Sequence, residues 1–198
     1  MFLLDERVFL TLGILRVAAC LEIAGHPVEM LDLSGIENFE AAVSDHAASS
    51  KALLFGITAT TPQMPAATKI VSAIRAVRKD ARIILGGPHV TLVNAAVKRE
   101  RKIGLNGRAT KAIGKLAAMF DVLVAGDGDD AIHAAILPDA PQVIDADDPQ
   151  SAMFLTNDRL EELPFPARHL VDVDSYHYTI EGERSLSLIA QLGCPFAC

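Results

Sequence analysis

Two cysteines stand four positions apart in the stretch Gly193-Cys194-Pro195-Phe196-Ala197-Cys198. Cysteine thiolates bind soft metals and iron–sulfur clusters. Three residues separate this pair, so it is not the CxxC of a zinc knuckle. Cluster ligation and a pair of incidental or weakly zinc-binding thiols are both open on these residues alone. The third cysteine, Cys20, falls in a helical pattern near an apolar stripe and is expected in the core.

A second group of residues suited to chemistry lies in three loops, each directly after an apolar run. Thr58-Ala59-Thr60-Thr61-Pro62 offers hydroxyls and small side chains just ahead of a helix N-terminus, which favours anions. Gly86-Gly87-Pro88-His89 lets backbone approach a ligand with no Cβ in the way. Gly126-Asp127-Gly128-Asp129 is again small and turn-forming, and its carboxylates argue against a bare phosphate there. In open α/β sheets ligands bind outside the carboxyl ends of the strands, at a switch point. Three such loops at one sheet edge predict a ligand crevice.

The elements that must position these loops alternate along the chain. Residues 2–4 are expected as a first strand, 13–24 as a helix with Ile14, Val17, Ala18 and Leu21 on one face, and 28–33 as a second strand after the stop signal Gly25-His26-Pro27. An Ala-rich helix follows at 37–50. The run ALLFGI at 52–57 has the composition of a buried parallel strand. Pro62 and Pro65 open a helix reaching about Arg78, and strands are expected at 82–85 and 121–125. A short helix at 129–137 and an edge strand at 142–144 complete the layer. This alternation predicts βαβ units and a doubly wound parallel sheet of Rossmann or flavodoxin type. Residues 97–120 are basic (KRERK, Arg108, Lys111, Lys115) and read as an inserted helical region, either a solvated face or a docking surface for an acidic partner. Residues 160–168, LEELPFPAR, carry two prolines and read as an extended linker. Residues 185–191 read as one more strand. The expected domains are 1–148, a linker at 149–184, and the opening of a second domain at 185–198.

Composition narrows the function classes. The 198 residues carry a net charge of −7, no Trp and two Tyr, which argues against nucleic-acid partners and an aromatic stacking platform. No run approaches the roughly 18 apolar residues of a membrane span, and the opening MFLLDERVFL lacks a signal-peptide pattern. A cytoplasmic protein with small-molecule partners, and neither a membrane nor a nucleic acid, is expected. No GxGxxG, P-loop, HExxH or GxSxG occurs, and the acidic cluster of a receiver domain is missing.

Taken together, these features resemble the radical S-adenosylmethionine (SAM) enzymes that carry a cobalamin-binding domain. Thr58-Ala59-Thr60 precedes Gly86-Gly87 by 28 positions, as in the family's paired loops. LTLGILRVAACLEIAGHPVEMLD is similar to its opening helix and second strand; GGPHVT, GDGDDAI and LPFPAR follow in the family's order. GCPFAC resembles the first part of the CxxxCxxC motif. The resemblance runs from about Leu12 to Cys198.

It implies a Rossmann-like cobalamin domain followed by the start of a radical SAM barrel, so that the chain would be a fragment cut inside the cluster motif. Cys194 and Cys198 would then be two of three ligands to a 4Fe–4S cluster, the third three positions on, with SAM at the open iron. The resemblance also implies cobalamin contacts from Leu12 and Gly13, from Thr58, Ala59, Thr60 and Thr61, from Gly86, Gly87, Pro88, His89 and Val90, and from Gly126, Asp127 and Gly128. A methyltransferase, or a related radical enzyme, is the implied parent; the fragment alone would not be catalytic. The sequence departs from the wider cobalamin pattern in one respect. The DxHxxG loop, whose His replaces the lower axial ligand, is absent, and the corresponding stretch reads DERVFLTLG. His26 lies at the amino edge of the sheet and cannot substitute. A competing expectation is therefore a degenerate Rossmann-like scaffold, or a substrate-recruiting module, that binds no cobalamin.

Overall fold

A computed structural model describes residues 10–188 and groups the chain into two compact units, one of 38–154 and one of 1–37 with 155–198. The larger unit holds the sheet. Its strands β1 (Leu54–Thr58), β2 (Arg82–Gly86), β3 (Val122–Ala125) and β4 (Val143–Asp145) are parallel and pair in chain order. Helix α3 (Met64–Val77) connects β1 to β2. The pair α4 (Pro88–Lys102) and α5 (Arg108–Met119) connects β2 to β3, and α6 (Gly128–Ala135) connects β3 to β4. Helix α2 (Phe39–Ser49) packs on α3. The central strands are the core: Ile83, Leu85, Val122, Leu123 and Ala125 are fully buried. Strands covered on both faces carry continuous apolar runs, which is why their sequence signal is strong. Register between β2 and β3 is pinned just before β3, where Asp121 N–H donates to Ile83 O (2.9 Å) and Ile83 N–H donates to Asp121 Oδ2 (2.7 Å).

The described sheet contains no reversal of strand order. The strand expected at 2–4 lies outside the described residues. The expected strand at 28–33 does not form a ladder with any described strand. Its alternate apolar residues Val28 and Met30 instead pack on Ala18, Ala19 and Ala167, which satisfies their burial without a neighbouring strand. The basic segment is likewise not a separate insertion starting at 97. Pro88 occupies the first turn of α4, so the helix begins directly at the glycine pair.

The smaller unit contains α1 (Leu12–Ile23), α7 (Asn157–Glu162) and a hairpin of β5 (Thr179–Ile180) with β6 (Glu183–Arg184). Residues 160–162 are helical rather than extended. The prolines at 164 and 166 bar a helix only from about residue 163 onward, while Thr156 Oγ1 accepts from Arg159 N–H (3.3 Å) and caps the preceding turn. The segment beyond α7 is docked: Ala167 N–H donates to Leu15 O (3.0 Å), and His169 Nε2 pairs with Glu22 Oε1 (3.0 Å). Residues 185–188 form no strand, and 189–191 lie outside the described residues. Cys20 is buried in α1, as expected. Among the described residues, no helix is long and apolar enough to cross a membrane.

The α4–α5 hairpin is closed by one carboxylate. Glu100 Oε2 accepts from the Thr110 hydroxyl (2.7 Å), Thr110 N–H (2.9 Å) and Gly107 N–H (3.0 Å), and its Oε1 accepts from Ala109 N–H (2.9 Å). These donors are the unsatisfied amides of the α5 N-terminus, where Gly107 has no capping side chain of its own. The Thr110 hydroxyl, followed by the backbone amides, holds the Glu100 carboxyl down at about 2. A depressed carboxyl stabilises the fold above its unfolded value and loses that contribution as pH falls through the folded one. Glu100→Gln should therefore speed hydrogen exchange at Ala109 and Thr110 at neutral pH. The wild-type protein should show the same local fraying only as pH drops from about 4.5 towards 2. Equal exchange in both proteins at pH 7 would refute the staple.

Candidate functional site

The parallel arrangement brings all three predicted loops to the carboxyl edge of the sheet. Thr58 and Gly86 are register partners at the ends of β1 and β2. Ala59 N–H donates to Gly86 O (3.3 Å), His89 N–H donates to Ala59 O (3.1 Å), and Thr61 Oγ1 shares a hydrogen bond with His89 Nδ1 (3.0 Å). The first two loops are thus joined by backbone and side chain. The third is tied in by Thr91, one turn into α4. Its hydroxyl donates to Gly87 O (3.2 Å) and accepts from Gly126 N–H (2.9 Å). Sequence reasoning missed Thr91. The signal for it was present: a threonine four residues after Gly87 in a helix can bond back to that carbonyl.

The glycines divide by role. Gly87 has φ +94°, and a Cβ there would lie 2.5 Å from Thr58 Oγ1 and 3.0 Å from Ala59 N. Gly126 has φ +93°, and a Cβ would lie 2.5 Å from the Ala146 carbonyl carbon and from Asp147 N. At both positions neighbouring protein atoms stand where a Cβ would lie, which by itself calls for glycine. Gly86 is different. A Cβ on it would meet only ordinary contacts, with Val124 O at 3.9 Å. The bare backbone at the end of β2 answers no internal need.

The hydroxyls divide in the same way. Thr60 N–H and Oγ1 both donate to Gln63 Oε1 (2.8 and 2.9 Å), so this threonine builds the turn that leads into α3. The Thr61 hydroxyl is engaged with His89. Thr58 makes no side-chain hydrogen bond among the described residues, and it stands beside Gly86. Pro88 is exposed and Val90 is fully buried in the first turn of α4, so Val90 is core rather than a contact residue. Asp127 is the exposed residue ahead of α6, and Gly128 is the first residue of that helix. Leu12 and Gly13 open α1 in the other compact unit, with Leu12 buried and Gly13 exposed. Cys194 and Cys198 lie outside the described residues. Among the described residues, no group of three or more His, Cys, Asp or Glu side chains is placed to hold a metal ion.

The residue chemistry of this edge suits a ligand held by neutral hydrogen bonds rather than a bare anion. It offers backbone groups, a hydroxyl at Thr58 and an imidazole at His89, and the three loops carry no Lys or Arg. Burial pushes His89 below its usual 6.5, so its ring is neutral at physiological pH. With that chemistry in view, the family comparison is decisive: a model of the B12 binding domain matches residues 6–136. The chain belongs to the B12 binding domain family. The four-stranded parallel α/β layer is of the Rossmann-like kind, and the three loops of this B12 binding domain fall inside the matched span. A search of curated proteins returns no match. Among solved structures, the chain is similar to the N-terminal domain of a hypothetical protein of Thermotoga maritima, at 16% identity and a TM-score of 0.39, over 73% of this chain and 99% of that one. A likeness that slight carries no weight for fold or function.

The division of the glycines and the half-buried imidazole of His89 each carry a test. Gly87→Ala combines a left-handed backbone with an overfilled contact and should cost about 2–5 kcal/mol. Gly86→Ala should leave stability within about 1 kcal/mol, because alanine tolerates a strand end better than glycine does. Chemical denaturation of both variants checks the contrast, and equal losses would contradict it. A His whose folded value is lowered costs stability as pH falls through its unfolded value. The wild-type protein should therefore lose stability as pH drops below 6.5, and His89→Gln should lessen that slope. An NMR titration placing the His89 ring at or above 6.5 would refute the assignment.

Proposed function

We propose that this chain binds cobalamin at the carboxyl edge of its sheet and serves as the cobalamin-binding region of a radical SAM enzyme. One observation carries the reading: the Thr58 side chain, which makes no hydrogen bond among the described residues, and the half-buried Gly86, whose missing side chain no close internal contact requires, stand side by side in register within a B12 binding domain match. Thr58 would hydrogen-bond the cofactor's polar periphery. Gly86 would let it lie against the strand ends, and the Thr61–His89 pair would border it. When bound, cobalamin supplies methyl-transfer or radical chemistry at cobalt. Cys194 and Cys198 would be the first two ligands of a CxxxCxxC cluster site whose third cysteine stands three positions further on, and SAM would bind at the cluster. A methyltransferase acting on an unactivated carbon or phosphorus is the activity this combination supports. The absent DxHxxG loop favours a second reading, a Rossmann-like scaffold that holds no corrin.

Titration with hydroxocobalamin, desalting and a visible spectrum separate the two readings. The expected result is a retained, stoichiometric corrin band in the wild-type chain. That band should disappear in Gly86→Val, with circular dichroism unchanged, and affinity should weaken about tenfold in Thr58→Val through loss of one hydrogen bond. A folded wild-type chain that retains no corrin would favour the scaffold. For the cluster, a protein extending past the third cysteine, reconstituted anaerobically, should bind about four irons per chain and lose them in Cys194→Ala.

A further inference from the structure

We propose that the turn between α4 and α5 is a docking tip for an anionic lipid surface. The turn is built on a Schellman motif. Leu105 N–H donates to Glu100 O (2.8 Å) and Gly104 N–H donates to Arg101 O (3.1 Å), with Gly104 at φ +67°. Such a cap is commonly sealed by an apolar contact from the residue after the glycine back to the last turn of the helix. Here that residue is Leu105, and the positions it would reach are Glu100 and Arg99, neither of them apolar. Leu105 is accordingly 51% exposed, and Ile103 beside it is 74% exposed. Two large aliphatic side chains are thus held in water by a turn that has no internal use for them. Glu100 also accepts from Gly107 N–H, so the pair is presented on a hydrogen-bonded frame and little ordering is left to be done on binding.

Cations flank this tip. Arg99, Arg101, Lys102, Arg108, Lys111 and Lys115 are all exposed, and the one carboxylate between 99 and 115 is Glu100. None of the six forms an ion pair among the described residues. Asp145, Asp147 and Asp148 act on Lys98, further back along α4, and Arg101 lines the same cleft as Asp145. The uncompensated charge therefore rests mainly on Lys102, Arg108 and Lys111. Aliphatic side chains flanked by Lys and Arg suit an anionic bilayer, where the first enter the acyl boundary and the second meet the headgroups. A nucleic acid would use the cations and leave Ile103 and Leu105 in water. The rest of the chain is acidic, since the whole carries −7, so only a tip-first approach is favoured. Screening over about 8 Å at physiological salt limits the repulsion from the remainder. The contact is peripheral: among the described residues no helix can cross a membrane. Helix α4 has 15 residues, so the tip stands about 22 Å from Gly87 and the loop crevice.

The test is co-sedimentation of the full chain with vesicles of phosphatidylcholine alone and of phosphatidylcholine mixed with phosphatidylglycerol. Binding to the mixed vesicles only is expected, and it should fall as salt is raised. Lys102→Gln and Arg108→Gln should each weaken it about fivefold, the usual worth of a cation near an anionic leaflet. The double variant Ile103→Ser with Leu105→Ser should weaken it about tenfold or more with the thermal midpoint unchanged, because both side chains are exposed. The chain has no Trp, so Leu105→Trp adds a single reporter whose emission should shift to the blue on the mixed vesicles. No binding to the mixed vesicles, or equal binding by the double serine variant, would overturn the tip. Tighter binding of a double-stranded RNA oligomer, indifferent to the serine changes, would assign the cations to nucleic acid and overturn the lipid reading. A dimer in sedimentation velocity that the serine changes dissolve would assign the two aliphatics to a second copy and overturn it equally.

Discussion

At Gly87 the backbone turns through φ +94° against Thr58 and Ala59, and only a hydrogen atom fits between the two segments. Much of the carboxyl edge depends on that contact. It brings Ala59 N–H within reach of Gly86 O and His89 N–H within reach of Ala59 O. It also sets the departure of α4, which begins at Pro88 and places Thr91 one turn later between Gly87 O and Gly126 N. Three loops that are far apart in sequence therefore form one hydrogen-bonded edge. Each of these neutral bonds contributes only about 0.5–1.5 kcal/mol net. Their effect is collective, and it rests on a close approach that no side chain could allow.

The sequence revealed the sheet well and the roles within the edge poorly, for physical reasons. Strands covered on both faces must be apolar throughout, so the runs around Ile84 and Leu123 were easy to read. The alternation at Val28 and Met30 reports only that one side of the segment is buried. Packing on α1 meets that requirement as well as a sheet does. The prolines at 164 and 166 mark where a helix cannot continue, but not the capped turn at Thr156 just before them. At Gly87 and Gly126 the sequence records the missing side chain and not what occupies its place, so the internal reason for glycine there was hidden. Glu100 was invisible for a similar reason: its partners at Gly107, Ala109 and Thr110 come near only after two helices fold back on each other.

The same two helices show how charge is used in a chain of net charge −7. Arg99, Arg101 and Lys102 cluster in the last turn of α4, where cations complement the helix dipole. Arg108, Lys111 and Lys115 continue the exposed basic surface along α5. Glu100 is the exception within this basic stretch, and it faces the amides of the next helix, where a negative charge is favoured. The positive surface is thus partly a product of helix-end electrostatics.

The short strand β4 also bears on how molecules of this protein meet one another. It lies at the outer end of the described sheet, pairs through only three residues, and is followed by Ala146, Asp147 and Asp148. A strand from another copy that tried to extend the sheet there would gain few ladder bonds and would have to bring its backbone alongside Asp145 and the carboxylates beyond it. Short, charged edges of this kind discourage edge-to-edge stacking. The brevity of β4 and the carboxylates that follow it thus leave little for a second sheet edge to pair with, beside core strands β2 and β3 that are apolar over 83–85 and 122–125.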